Sequence, residues 1–213
     1  MTATSAFKCP SCGPVTCSKE EKEEYPDNCP IPESEQELED ARSIYQNDPD
    51  IEQLAVTASK VEAEGYCKWT RIEEIIQFAR RLNVTTIGIA HCIGLKKEAG
   101  FAHRIFEAAG FTVNSVCCKT GSMNKEELGI DDSEKVRPGE YETACNPIGQ
   151  AKILDKAGCQ LNVVIGLCVG HDSLFFMHSK APATVLIAKD RVLGHNPAAA
   201  LYTSHSYYKR LKK

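Results

Sequence analysis

The chain has 213 residues, 42% of them hydrophobic and 25% charged, a balance that excludes a wholly disordered protein. Lys and Arg number 25 against 29 Asp and Glu, and the net charge of -4 does not favour nucleic acid or an anionic membrane as partner. The opening segment, MTATSAFKCP, has no apolar signal core, and no run approaches the ~18 apolar residues of a membrane span, so the cytoplasm is the expected setting.

Eleven cysteines set this sequence apart. An odd count with no secretion signal argues against a disulfide framework and for metal ligands or reactive thiols. Such thiols are easiest to sustain in an anaerobe, because exposed thiolates are oxidised in air.

Residues 1–32 read as a small, irregular module in which Pro10, Gly13, Pro14, Pro26, Pro30 and Pro32 leave no room for a long helix. Its pattern is Cys9-x2-Cys12-x4-Cys17-x11-Cys29. Four thiolates suit a tetrahedral zinc ion or a [4Fe–4S] cluster, and bound metal would supply much of the folding energy of so small a module. Only one C-x2-C knuckle is present where zinc ribbons use two, which favours iron–sulfur and keeps zinc as the alternative. The acidic run from Ser18 to Asp40 is expected to be a solvated face.

Residues 33–82 have helical periodicity. Leu38, Ala41, Ile44 and Tyr45 fall near one face, as do Ile51, Leu54, Ala55, Ala58 and Val61, and both sets are expected to be core. Thr70 with Glu73 forms a capping box ahead of Ile72, Ile75, Ile76 and Ala79. Cys67, beside the single Trp69, is expected to be a buried small hydrophobe.

Residues 83–213 alternate strand and helix. Val84–Ala90, Phe111–Val116, Leu161–Leu167 and Thr184–Ala188 are the expected strands. The expected helices are Lys96–Ala109, Pro147–Ala157, Asp172–Ser179 and one starting near Pro197. This order predicts an α/β fold: a Rossmann-like parallel sheet of about four strands with flanking helices, preceded by the Cys-rich module. G-x-G-x-x-G, G-x-x-x-x-G-K-[ST] and G-x-S-x-G are all missing, so neither a dinucleotide site, a P-loop nor a serine hydrolase is supported.

Cysteines recur where strands end or helices begin: Cys92 in AHCIG, Cys117 and Cys118 in SVCCKTG, Cys145 in ACNPIG, and Cys168 in GLCVGHD. The carboxyl edge of an open parallel sheet is its functional edge, so these five thiols are expected to meet there as cluster ligands. His171, Asp172 and Lys119 are the polar companions expected to act as proton donor, orienting carboxylate and anion contact. Cys159 precedes a strand and belongs at the opposite edge.

The motifs CCKTG, CNPIGQA, GLCVGHDSLF and KDRVLGHNP together resemble an uncharacterised cysteine-rich family of anaerobic archaea and bacteria, domain of unknown function 1847. The resemblance covers most of the chain and implies metal binding without naming a reaction. The expected function is an iron–sulfur protein, a redox or sulfur-handling enzyme with a small-molecule or sulfur substrate and a redox partner. A non-catalytic metal carrier or sensor is one alternative. A zinc-stapled hydrolase or transferase, with Cys168 as nucleophile and His171 as base, is another.

Overall fold

The computed structural model describes residues 7–20 and 24–212. The chain divides into two compact units after Ser59.

The first unit contains 3-10 turns at Cys9–Ser11, Thr16–Ser18 and Ile31–Glu33, the helix α1 (Glu35–Asn47) and the start of α2 (Pro49–Gly65). Asp48 starts α2 by accepting the amides of Asp50 and Ile51 at 3.1 and 3.2 Å, with Pro49 at the first helical position. No residue of α1 is buried. Leu38, Ile44 and Tyr45 remain 46%, 56% and 55% exposed, so the expected core face is at the surface. A stripe this narrow, on a helix otherwise built of Glu, Gln, Asp, Arg and Ser, holds too little apolar area to drive burial.

The second unit carries the rest of α2, then α3 (Arg71–Arg81) and the four-stranded sheet. The turn from α2 to α3 is closed by the amides of Lys68 and Trp69, both donating to the Gly65 carbonyl. Cys67 takes a left-handed conformation in that turn (φ 55°) and is exposed, not buried as expected. The Glu73 carboxylate accepts from the amide and hydroxyl of Thr70, the capping box read from the sequence.

Strands β1 (Thr86–His91), β2 (Thr112–Cys117), β3 (Leu161–Ile165) and β4 (Ala183–Ile187) are all parallel, in the order β2-β1-β3-β4. The crossovers are α4 (Lys96–Ala108), α5 (Pro147–Lys156) and α6 (His171–His178), and the short helix α7 (Ala198–Tyr202) follows the sheet. The two central strands are buried on both faces, as a covered parallel sheet requires. Ile87, Ile89, Val163 and Ile165 pack with Ile75 and Ile76 of α3, Phe106 of α4, Leu154 of α5 and Phe175 of α6 in one core. No helix among the described residues is long and apolar enough to cross a membrane.

The chain leaves β1 towards β2 on one side and leaves β3 towards β4 on the other. Main chains that part in opposite directions leave a crevice at the carboxyl edge between them.

Gly88 and Asn162 are register partners across β1 and β3, and a Cβ on Gly88 would fall on the Asn162 side-chain oxygen. Gly88→Ala is expected to destabilise the protein by about 1–3 kcal/mol, the usual cost of overpacking a core. Urea unfolding followed by circular dichroism measures it. A change within about 0.5 kcal/mol, typical of a surface site, would contradict this packing.

Candidate functional site

Main-chain bonds continue the sheet one residue past its strand ends. The Cys92 amide donates to Ile165 O at 3.1 Å, Cys118 N to His91 O at 2.8 Å, and Asn146 N to Cys118 O at 2.7 Å. These three bonds fix Cys92, Cys118 and Cys145 at one edge although they come from three separate parts of the chain. Gln150 of α5 is fully buried and donates to His91 O and Val116 O at 3.2 and 2.7 Å, tying the ends of β1 and β2 together. Asn146 caps α5 through Gly149 N at 2.8 Å and reaches Thr120 O at 3.3 Å. Any side chain at Gly149 would overlap Asn146, so the CNPIG segment is shaped to hold Cys145 in place.

The sulfurs form a row. Cys118 stands in hydrogen-bonding contact with both Cys92 and Cys145, its sulfur 3.8 Å from that of Cys145. The Ile93 amide also donates to Cys118 Sγ at 3.3 Å. Cations flank the row: Lys189 Nζ lies 2.7 Å from Cys92 Sγ, and Lys119 hydrogen-bonds both Cys145 and the Thr143 carbonyl. Nearer solvent, Arg191 Nη2 donates to Cys168 Sγ at 2.9 Å.

Three adjacent thiols do not ionise together, and the outer two give up their protons first. Cys92 is drawn down to about 4 by its hydrogen bond with Cys118 and, after that, by Lys189, against the opposing effect of burial. Cys145 is drawn down to about 5 by Cys118, then by the charges of Lys119 and His171. Cys118, between two sulfurs and buried, is pushed up and keeps its proton, chiefly through its bond with Cys145. The row therefore favours thiolates at its two ends and a thiol between them.

The other expected site residues fall out differently. Cys117 is the last residue of β2 and packs against the hydrophobic core, while its neighbour Cys118 turns into the row. The Asp172 carboxylate accepts the Ser173 amide at 2.9 Å, so it serves the start of α6 and does not orient an imidazole. His171 contributes charge beside Cys145, and its Nδ1 is buried without a hydrogen-bond partner. His171 does not bond to the Cys168 sulfur; its main-chain amide donates to the Cys168 carbonyl at 2.9 Å. Cys159 is buried ahead of β3, where the Asn114 side-chain amide lies 3.7 Å from its sulfur.

Lys189, Arg191 and Gln150 are the residues that sequence reasoning passed over. The available signal for the two cations was their place just after the fourth strand, on the same edge as the cysteines. Nearby, the His195 ring accepts the Asp190 amide at 3.2 Å and closes the turn that follows.

In the first unit, Lys8 N donates to Asn28 O at 3.3 Å and Asn28 Nδ2 to Lys8 O at 3.5 Å, which sets Cys9 beside Cys29. Cys12 N donates to Cys9 O at 3.0 Å in a tight turn. Cys9, Cys12, Cys17 and Cys29 all line one cavity of about 230 Å³. All eleven cysteines are free thiols. Among the described residues, no three His, Cys, Asp or Glu side chains already close on a single point as a one-ion site requires.

The sequence profile of a family described as "protein of unknown function (DUF1847)" matches residues 29–186. The chain belongs to that family. It is also 48% identical, over 158 residues, to an uncharacterised protein of Methanocaldococcus jannaschii, MJ0455, covering 74% of this chain and 79% of that one. The matched family region contains every sulfur of the crevice. Cys9, Cys12 and Cys17 lie before it, and Lys189 and Arg191 lie after it.

In metal-free protein, the rate of Cys145 alkylation by iodoacetamide is expected to hold steady from about pH 8 to about pH 6, since the thiolate persists there. It should then fall as the pH drops through about 5. Cys159, whose thiol burial pushes up, is expected to react only on unfolding. Peptide mapping by mass spectrometry reads both. A Cys145 rate that climbs steadily towards alkaline pH, as for an ordinary thiol, would contradict the row.

Proposed function

We propose that the chain is a metal-binding, iron–sulfur protein whose sheet-edge crevice carries out redox or sulfur-handling chemistry. One observation carries this reading: Cys92, Cys118 and Cys145 stand in a row assembled from three separate elements, with Lys189 and Lys119 at its flanks. Thiolates out of water need a positive partner, and soft sulfur donors select iron–sulfur clusters, zinc or copper(I). A cluster takes each thiolate on its own iron, so the row would open on binding one, while the 3.8 Å between Cys118 and Cys145 also suits a shared zinc ion. The flanking ammonium groups would offset the negative charge that such a centre carries.

A cluster held there by Cys92, Cys118 and Cys145 would store electrons and, with three thiolate ligands, keep one iron available to an external sulfur ligand. The chain's own groups have definite tasks around it. Lys189 and Lys119 hold anionic sulfur. His171 presents a ring nitrogen with no protein partner, able to hold or deliver a proton. A sulfur compound is the substrate class, and a redox protein is the partner in the electron-transfer form of the reading.

The N-terminal cavity supports a second metal site. Its four thiols include Cys9 and Cys17 at the surface, and such exposure suits an exchangeable ion. A metal carrier or sensor is the second reading on that ground, with zinc as the alternative occupant. The Cys–His hydrolase reading finds no support, because Cys168 is paired with Arg191 and not with His171.

Two anaerobic metal analyses test the proposal. Cys118→Ser is expected to remove the crevice's share of iron and its absorption, leaving the N-terminal share. Cys9→Ser with Cys12→Ser is expected to remove the N-terminal share alone, and the two losses should add because the sites have no ligands in common. Unchanged iron in Cys118→Ser would overturn the crevice assignment, and unchanged metal in the double variant would overturn the N-terminal one.

A further inference from the structure

The metal reading leaves one crevice sulfur over. Cys168 follows β3 on the stretch that leads into α6, and it is only partly buried. The next residue, Val169, is 92% exposed, so this sulfur sits at the solvent mouth while Cys92 and Cys118 are buried. Its hydrogen-bond donor is Arg191, at 2.9 Å, and that guanidinium is itself exposed. The carboxylates beside it are already engaged. Asp190 accepts the amides of Val192 and Leu193 at 2.9 and 2.8 Å, and Asp172 accepts Ser173 N. An anion arriving from solvent therefore meets a guanidinium fork beside a cysteine sulfur, with neighbouring acids turned to the main chain.

We propose that Cys168 is a sulfur-accepting nucleophile and that Arg191 recognises a small anionic sulfane-sulfur donor of the thiosulfate class. This inference rests on the sulfur-handling reading of the same crevice. A guanidinium carries five N–H donors, enough to bond an oxyanion in a fork and still touch the cysteine sulfur. Chemistry at Cys168 must also proceed without an adjacent base, since among the described residues no imidazole or carboxylate bonds to its sulfur. Hydrolytic acyl transfer needs such a base. Sulfur transfer between a thiolate and thiosulfate does not.

The step balances without oxidant or reductant. The Cys168 thiolate attacks the outer sulfur of thiosulfate, a new S–S bond forms on the protein, and the S–S bond of thiosulfate breaks. Sulfite leaves with the electron pair of the broken bond, and Cys168 is left as a persulfide whose terminal sulfur carries the negative charge beside Arg191. An acceptor thiolate, or cyanide as a probe, then takes that sulfur and returns Cys168 to the thiolate.

The test uses the full chain, purified anaerobically with its metal retained, and thiosulfate as the probe. Intact-mass and peptide measurements are expected to find one added sulfur, mapped to Cys168, and cyanide should release it as thiocyanate. Cys168→Ser should abolish both. Arg191 is exposed, so Arg191→Gln is expected to keep fold and iron content while raising the KM for thiosulfate about tenfold, as losing a charge-assisted contact does. Arg191→Lys should recover part of that loss. Sulfur added only at Cys92, Cys118 or Cys145, or none added while iron is retained, would overturn this inference and leave the iron–sulfur reading standing. Sulfur added at Cys168 in a protein that holds no metal at the crevice would uphold it and overturn the iron–sulfur reading.

Discussion

Parallel pairing of β2, β1, β3 and β4 sends all four carboxyl ends to one edge, and everything chemical in the second unit depends on that direction. The ladder does not stop where the strands do: Cys92 and Cys118 are still held by main-chain bonds to Ile165 and His91. A sulfur fixed this way cannot drift from its neighbours without breaking a buried peptide hydrogen bond. Gln150 adds a second restraint by bonding two strand-end carbonyls from below. The result is a row of thiols closer together than their charges would allow if all were ionised.

That crowding explains the surrounding cations. Two thiolates beside a buried thiol are tolerable only with positive charge at hand, and Lys189 and Lys119 lie at opposite ends of the row. At the mouth, Arg191 donates to the Cys168 sulfur. The chain as a whole is acidic, so this local excess of positive charge is a property of the crevice and not of the composition. The first unit solves a different problem. Its turns bury little apolar area, and its four cysteines line a cavity that metal could staple.

Much of this was legible in the sequence, for physical reasons that can be named. Continuous apolar runs such as LNVVIGL mark strands covered on both faces, and cysteines just beyond them had to share an edge once the strands were parallel. Other features were not legible. Cys117 and Cys118 are adjacent, so only the register of β2 decides which one turns into the row. Lys189 and Arg191 look like any surface basic residues until the turn closed by Asp190 and His195 sets them against the sulfurs of Cys92 and Cys168. Cys67 and the α1 stripe misled because periodicity registers apolar residues without registering what covers them. Asp172 serves its helix, since a carboxylate early in a helix meets free amides there before it meets an imidazole.

The most direct measurement of the central claim is anomalous X-ray diffraction at the iron edge, from crystals grown and frozen under anaerobic conditions. A cluster in the crevice gives an anomalous peak in contact with the sulfurs of Cys92, Cys118 and Cys145, with Lys189 and Lys119 at its flanks. A crevice without iron, in which Cys118 and Cys145 are joined as a disulfide or remain free thiols, would contradict that claim.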